Sequence, residues 1–348
     1  MNALAGIVGV GISCPLGQGS DAVRRAYVER VRNFVRSSQG PIGFDGQAIT
    51  LSCVMPFEEV RDYDLRIRNL FAAAFDDLAA QVEIDAPVAL RLVVPAWLGR
   101  HDIGAGLQTW VKNTYSKWFS SVSLLSGGDT IALYEVAKAL KELRDENGGG
   151  LIVGALDSFM DAELLDMLAV NGRLFSRGNP HGLIPAEAAV LVMLELPGEL
   201  RQALPVLGTM RSVFTGFERE NLLAPDGVIG RGLAKPLRQA FETFSPARFL
   251  VDLNGERWRS EDLGFALSGA RVPDKLLADF ETPIAFTGDC GAANSLIMAT
   301  VAIDGGQSGP PDQAEDQTAG VSILSIALPQ GPRCVAVFQS LNKHGMDS

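Results

Sequence analysis

Thiols and imidazoles are scarce in this chain: 348 residues hold four cysteines and three histidines. Cys14, Cys53, Cys290 and Cys334 form no CxxC pair, and His101, His181 and His344 share no metal-ligand spacing with one another or with a cysteine. That pattern excludes a zinc module and a disulfide framework, and it leads us to expect a reduced, cytoplasmic protein with buried thiols and no metal. There is no P-loop. No apolar run reaches the roughly 18–20 residues that a membrane helix needs. Met1 to Val10 lacks a basic region and does not read as a signal peptide. Basic residues are outnumbered, 30 Lys and Arg against 41 Asp and Glu, for a net charge of −11. Counterion release needs a basic face, so nucleic acid and anionic membranes are disfavoured as partners.

What is present reads as a globular protein. Hydrophobic residues make up 47% and charged residues 20% of the chain, enough for one large or two medium cores. Gly6, Gly9 and Gly11 give a weak dinucleotide-like pattern after a strand, which a tight strand-to-helix turn explains equally well, and no cofactor is expected.

Periodicity divides the chain into alternating strands and helices. The first unit opens with an apolar strand, Leu4 to Val10. A helix follows in which Val23, Tyr27 and Val31 recur at helical spacing and Ser20 is the candidate cap. Leu65 to Val82 reads as an amphipathic helix, Ala89 to Pro95 as a buried strand, and Val122 to Leu125 as a short strand ending at Ser126. A long helix then carries Ala132, Leu133, Val136, Leu140 and Leu143 and stops at Gly148 to Gly150. Strands follow at Leu151 to Gly154 and Val190 to Leu196. The second unit repeats the scheme, with a helix over Arg231 to Phe244 and a strand over Phe249 to Leu253. Pro283 to Phe286 reads as a strand, Ala292 to Asp304 as a helix, and Val321 to Leu328 with Arg333 to Gln339 as a closing hairpin. Gln307 to Ala319 reads as a surface loop. Such alternation implies a mostly parallel sheet in each half, covered by helices.

Four stretches carry chemistry-bearing positions. They are Gly9-Val-Gly-Ile-Ser-Cys-Pro-Leu-Gly17, the turn around Ser126, Gly182-Leu-Ile-Pro-Ala-Glu-Ala-Ala189, and Thr287-Gly-Asp-Cys-Gly-Ala-Ala-Asn294. With Val251-Asp-Leu-Asn-Gly-Glu-Arg-Trp-Arg-Ser-Glu-Asp262 they resemble the motifs of β-ketoacyl-ACP synthases (3-oxoacyl-ACP synthases) of the thiolase superfamily. The resemblance implies an α/β, thiolase-like fold of two pseudo-symmetric halves, residues 1–200 and 201–348, in a layered αβαβα arrangement.

It also shows what is missing. Where the family places a nucleophilic Cys and two His, this chain reads Ser126, Asn254 and Asp289. Glu187 falls on the family's buried structural Glu, Asp262 on the last position of its His-Gly-Thr loop, and Ile284 where many members carry a Lys. Of the family's Gly-Phe-Gly-Gly turn, which supplies an oxyanion donor and a gating Phe, only Gly331 remains, and Pro332 after it removes a backbone N–H.

Neighbouring residues do not supply the missing chemistry. A helix N-terminus activates a thiol but not a serine hydroxyl, which needs a positioned base. Ser126-Gly-Gly-Asp129 has capping-box spacing, and a first-turn carboxylate such as Asp129 is expected to be held as the anion. Asn254 is expected to retain a donor for a carbonyl oxygen, whereas Asp289 would repel an enolate. Cys290, beside Asp289, reads as a small packed residue of low reactivity.

The function implied is that of a catalytically inert synthase homologue with a binding, assembly or accessory role, as in short inert relatives found beside bacterial type VI secretion genes. The alternative is an acyltransferase, thioesterase or chain-length-factor-like subunit handling acyl thioesters with a site remodelled at Ser126. Cys-lacking subunits of aromatic polyketide synthases set chain length beside an active partner. The partners implied are a second copy, a synthase-like or accessory protein, and acyl carrier protein, for which Arg61, Arg66, Arg68, Lys112 and Lys117 are the candidate basic residues.

Overall fold

Apolar residues follow one another almost without a polar break in Gly6–Cys14 and Glu187–Leu196, and every residue of both segments is buried. That is the pattern of strands covered on both faces. The computed structural model describes residues 5–37, 42–55, 59–146, 149–196, 204–220, 227–304 and 320–341. Its principal strands are β1 (Gly6–Cys14), β2 (Val88–Val94), β3 (Phe119–Ser126), β4 (Gly149–Ser158), β5 (Glu187–Leu196), β6 (Gly208–Phe217), β7 (Arg248–Val251), β8 (Val321–Ala327) and β9 (Pro332–Ser340). The helices are α1 (Ser20–Val28), α2 (Tyr63–Gln81), α3 (Ile103–Thr114), α4 (Asp129–Asp145), α5 (Ala162–Val170), α6 (Arg231–Thr243), α7 (Arg257–Ala270), α8 (Asp274–Ala278), α9 (Ile284–Thr287) and α10 (Asn294–Ile303). The expected surface loop at Gln307 to Ala319 and His344 lie outside the described residues.

Two halves share one strand plan. The first runs β3-β2-β4-β5-β1, with β3, β2 and β4 parallel and β5 antiparallel to both its neighbours. The second runs β7-β8-β9-β6, with β7 parallel to β8 and β9 antiparallel to both its neighbours. A single pairing, Ile7 with Gly208, joins the halves. Both sheets are therefore mixed rather than mostly parallel.

The outermost strand of the second half is reduced to one bridge. Glu281 pairs in parallel with Leu250, donating to the Phe249 carbonyl and accepting from the Val251 N–H, both at 2.8 Å. The strand expected at Pro283 to Phe286 is instead the helical turn α9. Pro283 itself adopts helical angles (φ −56°, ψ −36°), as proline readily does at a helix start.

The halves stack in five layers. α2 packs on β1, β5 and β4, and α3 on β3, on one outside face. α4 touches β2, β4 and β5 on one side and β6, β8 and β9 on the other, and α10 lies beside it in the middle layer. α6 packs on α7 and covers β6, β8 and β9 from the opposite outside face. A helix with sheets on both sides must be apolar all round. In α10 all ten residues are buried, and each fully buried Leu, Ile or Met there contributes about 1.5–3 kcal/mol.

Close approach explains the glycines of β1. A Cβ on Gly11 would lie 2.0 Å from the Ala74 carbonyl oxygen of α2, and one on Gly9 would lie 2.9 Å from Val82. They seat a helix against the strand, and neither a dinucleotide loop nor a strand-to-helix turn accounts for them. Asp62 and Asp161 cap α2 and α5 through their side chains, as acidic N-caps do. Ser20 is not a cap: Gly19 holds that position in α1.

Candidate functional site

β3 delivers Ser126 to the end of the sheet nearest the start of α4. Ser126 remains within the strand, paired with Val94 and exposed to solvent, while Gly127 donates to the Val94 carbonyl at 2.9 Å. The N-cap of α4 is Gly128, and no side chain caps the helix. The expected capping box is therefore absent. Gly128 passes close to Leu328, where a Cβ would meet the side chain at 2.9 Å. The serine stands two residues ahead of the N-cap, in the strand and not in the first turn of the helix.

Asn254 and Asp289 do meet. Asn254 follows β7, Asp289 follows α9, and the Asn254 Nδ2 donates to Asp289 Oδ2 at 2.6 Å and to Glu256 Oε2 at 3.1 Å. Its Oδ1 accepts from the Glu256 backbone N–H at 3.0 Å. A carboxamide has two N–H donors, and both are in use. The expectation that Asn254 keeps a donor for a substrate carbonyl is thus overturned. Asp289 Oδ1 accepts from the Gly291 N–H at 2.9 Å and from Asn294 Nδ2 at 2.7 Å. Burial pushes the Asp289 carboxyl upward, but the Arg259 charge and the donors from Asn254, Asn294 and Gly291 outweigh it and hold the group below its ordinary value. It is a fixed anion.

The network continues through Glu256, Arg173, Trp258 and Arg259, for which the motifs gave no role, and through Asp262, which they did single out. Glu256 binds Arg173 bidentately at 2.7 and 2.9 Å and accepts from the Trp258 indole N–H at 3.0 Å. Arg259 pairs with Asp252 and donates to the Ala327 carbonyl at 2.7 Å. Asp262 pairs with Arg333 at 2.7 Å, and both side chains are buried. The guanidiniums of Arg259 and Arg333 lie 4.8 and 5.7 Å from the Trp258 ring. Gly331 takes a positive φ of 115°, which suits glycine. Its N–H donates to the Leu328 carbonyl at 3.1 Å, so it is engaged in the turn rather than presented to a ligand.

Two further acids face the interior. Burial drives the Asp129 carboxyl well above the usual carboxylate range against the pull of Arg259, and the charges of Asp252 and Asp289 add to the rise. Its Oδ1 is buried without a hydrogen-bond partner. The expectation that the helix terminus favours the Asp129 anion is opposed, because loss of water works in the other direction and is the larger effect. Asp157 is lifted by burial to about 7, despite a 2.9 Å bond from the Ala292 N–H, with the Asp289 charge contributing. The Cys290 thiol is raised far above its ordinary value by burial, with Cys14 and Asp289 adding to it. Burial pushes Cys14 up to about 12. Neither thiol supplies a nucleophile near neutral pH.

Glu187 is fully buried. It accepts from Arg66 at 2.6 Å, from Ser158 Oγ at 2.8 Å, and from the Val54 and Met55 N–H groups at 2.9 and 3.2 Å. Arg66 is fully buried with it and so leaves the basic group proposed for carrier docking. Arg68 is tied to Asp64 at 2.5 Å, and the Lys117 ammonium lies 3.9 Å over the Trp118 ring. Ile284 is buried, while Phe286 is half-buried between Tyr27 (5.4 Å, edge-on) and Arg32 (5.0 Å). His181 is exposed, and among the described residues no histidine takes part in the network. Among the described residues no cluster of His, Cys, Asp and Glu has the arrangement of a metal site, and no helix is long and apolar enough to cross a membrane.

No protein-family model matches the chain, and no curated protein matches it in sequence. Solved structures do match in fold. The ishigamide ketosynthase/chain length factor superposes with a TM-score of 0.72 at 15% identity, covering 97% of this chain and 100% of that one. A type II polyketide synthase acyl-carrier protein in complex with its ketosynthase bound to the hexaketide, AntDE:AntF, gives 0.74 at 14% identity, over 98% and 100%. The ketosynthase ApeO in complex with its chain length factor ApeC, from Xenorhabdus doucetiae, gives 0.66 at 14% identity, over 97% and 98%. At such identities the likeness is one of fold. The chain has the thiolase-like ketosynthase fold along nearly its full length.

Proposed function

We propose that this chain is a non-condensing ketosynthase-fold subunit that acts through assembly, in the manner of a chain length factor beside a synthase-like partner. The observation that carries the reading is the Asn254 amide, which uses both N–H donors on Asp289 and Glu256. Decarboxylative condensation needs a thiolate and neutral donors at those positions; here they hold an exposed hydroxyl, a saturated amide and a fixed anion. Asp289 would oppose a malonyl carboxylate and any enolate derived from it.

The assembly half of the reading rests on β3. Its outer edge pairs with no strand among the described residues, and an open edge is a template for another chain. Leu124 and Leu125 are half-buried there, and Tyr134 on the following helix is 53% exposed. Two of the matching structures pair a ketosynthase with a chain length factor, which supports a partner of the same fold, with a second copy of this chain as the simplest case.

Sedimentation of the purified protein, alone and mixed with a ketosynthase from the same genome, tests this. The expected result is a dimer of either kind that Tyr134→Lys weakens without lowering the melting temperature. A chain that stays monomeric in both mixtures removes the assembly role.

A further inference from the structure

A cavity of about 250 Å³ is lined by Arg36, Gln47, Ala48, Thr50, Phe175 and Arg177, none of which belongs to the Asn254–Asp289 network. Two local structures build it. One is the two-stranded hairpin in which Val35 pairs with Leu51 and Arg36 with Thr50. The other is the turn after Phe175, held by Asp45: its Oδ2 accepts from Ser176 Oγ at 2.7 Å and from the Gly178 N–H at 2.8 Å, and its Oδ1 accepts from the Gln47 N–H at 3.1 Å. Both oxygens of the Asp45 carboxylate are thereby engaged in the turn.

The lining is rich in donors and holds no acid. Arg36 and Arg177 are exposed, and neither makes an ion pair or side-chain hydrogen bond among the described residues, in a chain whose net charge is −11. Gln47 and Thr50 add an amide and a hydroxyl, while Phe175 and Ala48 supply apolar surface. The space is that of about eight waters, smaller than a drug-sized pocket. Two guanidinium forks match a doubly charged oxyanion, since each can bind it through paired N–H groups.

We propose that this cavity binds a phosphate monoester of a small organic group, with Arg36 and Arg177 holding the dianion and Phe175 and Ala48 taking the apolar part. The site stands independently of the assembly role, because it shares no residue with β3 or with the Asn254–Asp289 network.

Calorimetric titration of the full chain with phenyl phosphate at pH 7.5 tests it, with benzoate as the singly charged comparison. One saturable site is expected for phenyl phosphate, and benzoate should bind at least about tenfold more weakly. Arg36→Gln and Arg177→Gln should each weaken phenyl phosphate binding by about tenfold to a hundredfold, the loss of a charge-assisted hydrogen bond. Both side chains are exposed and unpaired, so the variants keep the fold, which an unchanged melting temperature verifies. Absence of saturable binding up to about 10 mM, at the weak end of the affinity scale, would overturn the proposal. So would unchanged binding in the double variant, or benzoate matching phenyl phosphate.

Discussion

Asp157 makes the stability of this protein depend on pH in a direction opposite to that of most carboxylates. The side chain sits at the end of β4, fully buried, with the Ala292 N–H donating to Oδ2 at 2.9 Å and the Ser158 backbone N–H also favouring the anion, neither of which offsets the burial. Its carboxyl titrates at about 7 in the folded chain, against an ordinary 3.8. An unfolded chain has lost this proton by pH 5, whereas the folded chain keeps it until pH approaches 7. Folding therefore takes up a proton in this window, and the stabilisation is complete below about pH 4 and lost as pH rises through 7. Between pH 5 and pH 8 the loss is about 3 kcal/mol. Asp157→Asn preserves volume and the acceptor for the Ala292 N–H and removes the titration. Urea midpoints followed by tryptophan fluorescence at pH 5, 6, 7 and 8 should fall with pH in the parent chain and flatten by that amount in the variant. Parallel pH profiles for the two proteins would refute the burial argument.

Other outcomes follow from the same physics. Arg66→Met leaves Glu187 charged and unpaired in the core and should cost about 3–5 kcal/mol, a fall in melting temperature of about 4–7 °C for a chain of this size; Arg66→Met combined with Glu187→Gln should recover part of it, and no recovery would locate the loss in packing. Ser126→Cys should place an ordinary thiol at the exposed end of β3, alkylated with an inflection near pH ~8.5. An inflection below about pH 6.5 would mean that the start of α4 does act on this position. Cys14, Cys290 and Cys334 are buried, and the half-buried Cys53 supplies the background, which the parent chain measures for subtraction.

The alternation of elements was legible because strands covered on both faces write continuous apolar runs, as in β1 and β5, and the long central helix writes its period in Ala132, Leu133, Val136, Leu140 and Leu143. Pro283 to Phe286 misled because a short apolar run fits either element, and the starting proline decided for a helical turn. Ser126, Asn254 and Asp289 were legible as substitutions. What they bond to was not: Arg173 reaches Glu256 across 83 residues and Arg66 reaches Glu187 across 121, and no local pattern records such distances. Asp129 was misjudged for a related reason. Its helix position is written in the sequence, but its burial, with Ser295 bonding its carbonyl and the charge of Asp252 close by, depends on residues more than a hundred positions away.

Intact mass of the protein after incubation with malonyl and longer acyl thioesters tests the absence of condensing chemistry most directly. The account predicts the unmodified mass of 37.1 kDa and no loss of carbon dioxide from the malonyl thioester. A stable acyl adduct that Ser126→Ala abolishes would contradict it.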